Sequence, residues 1–392
     1  MMSAAAPRVA VAGVARTPFY RRGQSDPQSR VEMACGAILA ALDDAGLSAD
    51  DLEGFVHMSG GMDSALLAQV LGVPDVKFSV TLTGGGGASA GTLGVAAAAI
   101  QSGQARVVVV VRAMKQGVVH FGAAFAPGMK REVAPEADFY STAGLISPGQ
   151  MFALIARRHM HKYGVRREDF GAIAVAFRQH AQTRPDALRK TPLTLDDYLA
   201  TPLLADPLCR HDFCLENDVA LAVVLVAEDL AADRPHSPVW VAAAEHGGAG
   251  RWGQGEEWMG MPEEIFDTAG HRTIARRVYA KTGLGPKDID VALIYDNFTS
   301  NVLLQLEDYG FADVGGGGEL VSSGAISWPN GSIPVNTHGG QLSEGFSSGI
   351  SHVIEGVEQL RGTAINQVAG AEVALVTGGA AAIPTSAAIL TK

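Results

Sequence analysis

Val80–Ile100 reads VTLTGGGGASAGTLGVAAAAI. A short apolar run stops at four consecutive glycines, Gly84–Gly87, and an Ala-rich stretch of helical composition follows. Gln101–Arg106 then leads into the valine run Val107–Val111. Glycine lets a backbone turn sharply and lets other groups approach it closely, so this segment predicts a strand, a glycine turn, a long helix and a buried strand. The pattern returns near the other end. Gly339-Gly340 opens a second long helical stretch that runs to Gly362, and Glu372–Thr377 leads to Gly378-Gly379. A glycine turn, helix and strand in each half predict two similar domains packed together, with helix N-termini at the centre. Such ends offer free N–H groups and a positive dipole end, which suits a site that stabilises negative charge.

The same reading extends outward. Val9–Val14, Phe55–Ser59, Lys77–Leu82, Asn217–Ala227, Val239–Ala243, Val291–Ile294 and Ala387–Leu390 read as strands. Arg30–Ala45, Leu66–Leu71, Pro262–Thr282 and Thr299–Tyr309 read as helical, and Gly315 through Pro334 as a long loop. Apolar strands without alternation, separated by helices, predict an α/β fold with a mostly parallel sheet covered on both faces. Residues 115–205 are richer in charge, Met and Phe, and carry two amphipathic helices, Met151–Tyr163 and Glu168–Thr183, before the segment Pro192–Tyr198. They read as an inserted loop domain. It interrupts an N-terminal half formed by residues 1–114 and 206–236, and residues 237–392 form the C-terminal half.

Composition bounds the function. A chain of 392 residues, 47% hydrophobic and 18% charged, fits a large α/β protein of more than one domain. A formal net charge of −11 argues against a nucleic-acid partner. Three cysteines, Cys35, Cys209 and Cys214, are an odd count with no framework and point to a reducing compartment. Cys209 and Cys214 have no partner at zinc spacing, so they read as structural thiols and no metal is expected. No basic segment followed by an apolar one opens the chain, and Val95–Ile100 is too short to span a bilayer, so a cytoplasmic protein without membrane contact is expected.

Several stretches carry a family resemblance. They are SPGQMFALIARRHMHKYG from Ser147, DFGAIAVAFRQHA from Asp169, PLLADPLCRHDFCLENDVALAVVLVAE from Pro202, and YDNFTSNVLLQLEDYGF from Tyr295. The last are IPVNTHGGQLSEGFSSGISHVIEGVEQLRG from Ile333, with NQV and the terminal VTGG. Together they resemble the thiolase superfamily, in its sterol-carrier-protein-x-like or lipid-transfer-protein branch. The resemblance implies a thiolase fold: two similar βαβαβαββ domains with covering helices and an inserted loop domain on the CoA side. It also implies an acyl-CoA thioester as substrate.

A degradative thiolase uses four side chains, and each is replaced here. Gly86 stands where the resemblance places the nucleophilic cysteine. Gly345-Phe346-Ser347 replaces the G-H-P element, and Val376-Thr377-Gly378-Gly379 the C-x-G-G element. Tyr295-Asp296-Asn297-Phe298 replaces the element headed by Asn or His. The shaping glycines remain, but covalent acyl transfer needs an activated nucleophile. A retro-aldol reaction needs none. Deprotonating a β-hydroxyl expels a thioester enolate and leaves a ketone or aldehyde, given a base, donors for the enolate and a proton for Cα. The Tyr-Asp-x-Phe element resembles that of the thiolase-like aldolases of steroid side-chain degradation. That branch implies a homodimer core, with the Val107–Val111 run pairing across its two-fold axis. It also implies a small OB-fold, zinc-ribbon partner in a heterotetramer, and no covalently bound cofactor.

Tyr295 then reads as the proton-transfer residue or as a packed aromatic. Its ordinary pKa of about 10 demands a neighbouring cation or hydrogen-bond network. Backbone N–H groups near Gly86 and Gly379 would hold the enolate oxygen. In the related aldolases a second tyrosine stands in an S-E-G-Y element, where this chain has Ser343-Glu344-Gly345-Phe346. His338 reads as its stand-in or as a satisfied loop histidine. Phe346 and Asn297 would wall the substrate pocket, and Asp296 would cap the helix that follows it. Arg157-Arg158 with His159–Lys162 reads as a solvated helix face or a phosphate contact. The alternative function is a catalytically silent subunit that binds acyl-CoA or scaffolds a partner.

Overall fold

The computed structural model describes residues 7–58, 62–116, 141–249, 268–379 and 384–392. The apolar runs become strands: β1 (Val9–Arg16), β2 (Tyr20–Arg21), β3 (Gly54–Met58), β4 (Phe78–Leu82), β5 (Val107–Met114), β6 (Leu203–Ala205), β7 (Leu208–Cys209), β8 (Asn217–Ala227), β9 (Val239–Gly247), β10 (Val291–Leu293), β11 (Val373–Gly378) and β12 (Thr385–Thr391). β6 and β7 form a small sheet of their own, and β2 joins the end of β8. The rest lie in one sheet, in the order β4-β3-β5-β8-β1-β9-β12-β11-β10. The seam between halves is narrow, with Ala10 opposite Trp240 and Val11 opposite Val239.

The duplication foreseen from the glycine turns is visible in the strand order. β1-β8-β5-β3 runs antiparallel, antiparallel, parallel. β9-β12-β11-β10 repeats that sequence of senses. The expected mostly parallel sheet is therefore corrected to a mixed one. A strand buried on both faces is continuously apolar whichever way its neighbours run, so hydropathy does not report sense. β5 also corrects an expectation. It lies between β3 and β8, with both edges paired, so Val107–Val111 cannot pair across a two-fold axis. The sheet edge in that half belongs to β4, which pairs only with β3 among the described strands.

Two helices lie against both halves. Ser89–Gln101 buries Ala90, Leu93, Ala96 and Ile100. Its small residues let the second half approach: a Cβ on Gly91 would stand 2.7 Å from His246 Cγ, and one on Gly94 3.1 Å from Ala244 Cβ, both on β9. Ile350–Arg361 buries Val353, Ile354 and Val357 and packs on β10, β11 and β1. This second helix starts later than its sequence implies. Gly339-Gly340 opens only the four-residue helix Gly340–Ser343. Ser348 (φ 56) and Gly349 (φ 91) then turn the chain through left-handed backbone before Ile350. The expected loop from Gly315 contains the helix Gly317–Ser322. The helix expected at Pro262–Thr282 is Arg272–Thr282. Residues 262–267 lie outside the described residues, as do Ser59 and residues 117–140. Among the described residues no helix is long and apolar enough to cross a membrane.

The central helix sets a stability test. Leu93 is fully buried where the halves meet, so Leu93→Ala should cost about 2–5 kcal/mol in urea unfolding. Leu39, 49% exposed, should lose no more than about 0.5 kcal/mol on the same change. Equal losses would contradict the packing described.

Candidate active site

Tyr295 follows the end of β10 and is held through its backbone. Its N–H donates to Thr377 Oγ1 at 2.8 Å, and its carbonyl accepts from Gln305 Nε2 at 2.7 Å. Thr377 closes the ring by donating to Gln305 Oε1 at 2.7 Å. The side chain is 4% exposed. Its ring lies over the first glycine turn. A Cβ built on Gly86 would stand 1.9 Å from the Tyr295 hydroxyl oxygen and 2.1 Å from its Cζ. The phenol therefore fills the space that any side chain at position 86 would need. Gly349 flanks the same ring: its Cβ would meet Tyr295 Cδ2 at 3.1 Å and Ser89 Oγ at 2.6 Å.

The second glycine turn completes the floor. Gly379 has a φ of 76°, and a Cβ there would lie 2.6 Å from Gly87 Cα, so the two turns pack backbone on backbone. The Gly379 carbonyl bonds His271 Nε2 at 2.8 Å, while His271 Nδ1 meets the Tyr309 hydroxyl at 3.0 Å. Nε2 must donate to a carbonyl, and in the neutral imidazole Nδ1 then accepts from the tyrosine. Burial agrees, pushing His271 down to about 4. The structure thus brings Tyr295, Gly86 and Gly379 together.

The charges around Tyr295 were not legible locally. Burial drives its phenol well above the usual range, and Cys214 and Asp296 add to this. Gln341 and Arg112 oppose it. Arg112, at the end of β5, supplies the required cation. It donates to Met58 O at 2.7 Å, and burial brings it down to about 10, partly offset by Tyr295. The hydroxyl is therefore protonated at neutral pH, a donor and acid in its resting form. Cys214 lies in the same surroundings, its N–H bonded to Asn297 O at 3.0 Å and its thiol pushed up to about 12 by burial. It is a neutral thiol and not a nucleophile.

Other expected residues fall differently. His338 is buried one step behind the site: its Nε2 lies 3.2 Å from His352 Nδ1, and it is His352 whose ring faces Tyr295 at 6.4 Å. Burial holds His338 well below the ordinary imidazole range. Behind it Arg184 pairs with Glu344 at 3.0 Å and Glu355 at 3.4 Å, all buried. Asp296 does not cap the helix that follows it. Its carboxylate accepts from Gln341 N (3.0 Å) and Leu342 N (3.2 Å), capping the Gly340–Ser343 turn, and meets His352 Nε2 at 3.0 Å. Phe346 is buried, its backbone clasped by Asn217, which donates to its carbonyl at 3.0 Å and accepts from its N–H at 2.6 Å. Asn297 is half-buried and accepts from Asn301 Nδ2 at 2.7 Å. His159 is not on a solvated face: it is buried with Glu307 at 3.1 Å. Arg178, Arg189, Arg210 and His211 border a separate cavity of about 530 Å³. Burial and the neighbouring arginines hold Arg178 near 10 and His211 near 4.

Two outcomes follow from this geometry. Gly86→Ala places a methyl inside the Tyr295 ring, so it should lower stability in the wild type and much less in Tyr295→Ala. A thermal double-mutant cycle measures that coupling, which should exceed about 0.5 kcal/mol. The second concerns pH. His180 and His271 are both held near 4 by burial, against about 6.5 when unfolded. Below pH 6.5 the unfolded chain binds protons that the native state refuses, so stability should fall as pH drops from 6.5 toward 4. Each histidine steepens that fall by up to about 1.4 kcal/mol per pH unit. His271→Asn should flatten the slope of unfolding free energy against pH.

Comparison with known proteins bears on the family and the fold. Residues 9–191 match the family described as thiolase, N-terminal domain, and residues 256–392 match the thiolase C-terminal domain-like family. A steroid side-chain-cleaving aldolase of Thermomonospora curvata is 36% identical over 387 residues, covering 97% of each chain. A 17-hydroxy-3-oxo-4-pregnene-20-carboxyl-CoA lyase of Mycobacterium tuberculosis is 35% identical over 393 residues, covering 98% of this chain and 99% of its own. The solved structure of an Ltp2-ChsH2(DUF35) aldolase superposes with a TM-score of 0.89 at 35% identity, covering 98% of both chains.

Proposed function

Because the chain belongs to the thiolase superfamily, in its branch of thiolase-like aldolases, we propose that it cleaves a bulky, steroid-like β-hydroxyacyl-CoA by a retro-aldol reaction, without an acyl-enzyme. The observation that carries this reading is the Tyr295 hydroxyl in the space a side chain at Gly86 would occupy. A proton-transfer group stands where a nucleophile would.

The reaction balances without a co-reactant. The β-hydroxyl gives up its proton, the Cα–Cβ bond breaks, and a ketone or aldehyde leaves. The electron pair passes into a thioester enolate, whose Cα takes one proton. Tyr295, protonated at rest beside Arg112, is the proton-transfer residue of this cycle: its oxygen takes the β-hydroxyl proton as its own proton passes on to Cα, so it ends the cycle protonated. N–H groups at Gly86 and Gly379 receive the enolate oxygen, in a buried setting that strengthens such bonds. The inserted region is the CoA side, and the cavity of Arg178, Arg189, Arg210 and His211 has the charge to receive phosphate groups.

The wider assembly we propose is a cytoplasmic homodimer core joined by a small OB-fold, zinc-ribbon protein. The named two-component aldolase structure motivates the partner. Among the described strands of the large sheet, the edge of β4, not Val107–Val111, is open to a second copy. One observation favours the alternative, a silent subunit: Phe346 lacks the hydroxyl that the family resemblance leads one to expect there.

The test is ketone or aldehyde release from a β-hydroxyacyl-CoA with the partner protein present. Tyr295→Phe should keep folding and CoA binding and lose about 10²–10⁴ in rate. Phe346→Tyr should match or exceed wild type. Intact mass after incubation with acetoacetyl-CoA should show no adduct on Cys35, Cys209 or Cys214. A turnover-competent adduct would sink the aldolase reading, and no cleavage by wild type would favour the silent subunit.

A further inference from the structure

Gln341 is fully buried on the Gly340–Ser343 turn. Its Oε1 accepts from Gly349 N at 3.1 Å and from Ser347 N at 3.4 Å. Two N–H donors at one end of an amide decide which end is oxygen. The Nε2 end then points away from those two donors, and the Tyr295 hydroxyl feels it. It interacts with the hydroxyl so as to favour the phenolate, and it has no settled hydrogen-bond partner among the described residues. Its backbone is pinned as well: its N–H donates to Asp296 Oδ1 at 3.0 Å, and its carbonyl accepts from Leu215 N at 3.1 Å.

A buried N–H without an acceptor is destabilising. A rigid one, aimed at the site's proton-transfer group, is explained if a ligand brings the acceptor. We propose that Gln341 is a further catalytic residue, whose Nε2 donates to the β-oxygen of the substrate as it becomes the ketone or aldehyde oxygen. This rests on the retro-aldol reading above. An amide moves no proton, so Gln341 does not replace a second tyrosine as acid or base. It supplies a second hydrogen bond to the reacting oxygen, which Phe346 cannot. His338 is less suited to that task, because His352 stands between it and Tyr295.

Gln341→Glu separates this role from a structural one. The carboxylate keeps an acceptor for Gly349 N and Ser347 N but loses the donor. With the partner protein present, kcat should fall about 10²-fold where the carboxylate is ionised, with KM little changed. The rate should recover as pH falls, because a protonated carboxyl donates again; wild type lacks this recovery. Wild-type kcat at every pH, or a loss that never recovers, would overturn the proposal. A second readout needs no turnover. A bound 3-oxoacyl-CoA with ¹³C at its β-carbonyl should absorb at lower infrared frequency in wild type than in Gln341→Glu at pH 8. Identical bands with both proteins saturated would overturn the proposal. If wild type cleaves nothing yet the bands differ, the retro-aldol reading fails while the donor assignment stands.

Discussion

One exclusion organises the site: the Tyr295 phenol and a side chain at position 86 cannot coexist. With 1.9 Å between an added Cβ and the hydroxyl, and ring atoms within 2.5 Å, a side chain at 86 would force the whole ring out of its place. Glycine at 86 is therefore the condition for Tyr295 to reach the floor formed by the two turns. The same logic extends to Gly349 and Gly379, whose missing Cβ atoms leave room for the ring and for the opposite turn. Where the family resemblance leads one to expect a thiol, this chain holds a phenol.

What surrounds the phenol is tuned to keep it protonated yet able to share charge. Burial and Asp296 hold the proton on, while Arg112 and the Gln341 amide favour letting it go. A thiol site would need an imidazole close by to hold its thiolate. Here the nearest ring, His352, is committed to Asp296 and the Ile294 carbonyl, and His338 lies behind it. The histidines thus work as scaffold. They tie the loop after β10 to the turn at residues 336–343 and leave proton transfer to the tyrosine.

Much of this was legible in the chain. Glycine turns betray close backbone approach because no other residue tolerates it, so Gly84–Gly87 and Gly378-Gly379 marked the site from opposite ends of the sequence. The Tyr295-Asp296-Asn297-Phe298 element marked the side chain between them. Pairing sense was not legible, because β5 and β8 are apolar on both faces and carry no signal of direction. Arg112 and Gln341 were equally silent. One follows a valine run and the other sits in a turn, and neither signals that folding carries it to Tyr295. Asp296 misled through proximity: a carboxylate one residue past a strand end suits the next helix, but the Gly340 turn offers it two free N–H groups instead.

That last exchange explains why the turn at residues 340–349 can be short and still rigid. Asp296 caps its start, Asn217 clasps Phe346 near its end, and Arg184 binds Glu344 on its outer side. Replacing a buried ion pair by apolar groups is often neutral, but removing one partner strands a charge and costs about 3–5 kcal/mol. Glu344 and Glu355 both depend on Arg184, so the turn is held by groups that cannot be lost singly. Gln341 inherits its fixed direction from this arrangement. The polar cluster lies away from the phenol, yet it sets the aim of the amide that faces it, and site and scaffold are one hydrogen-bonded unit.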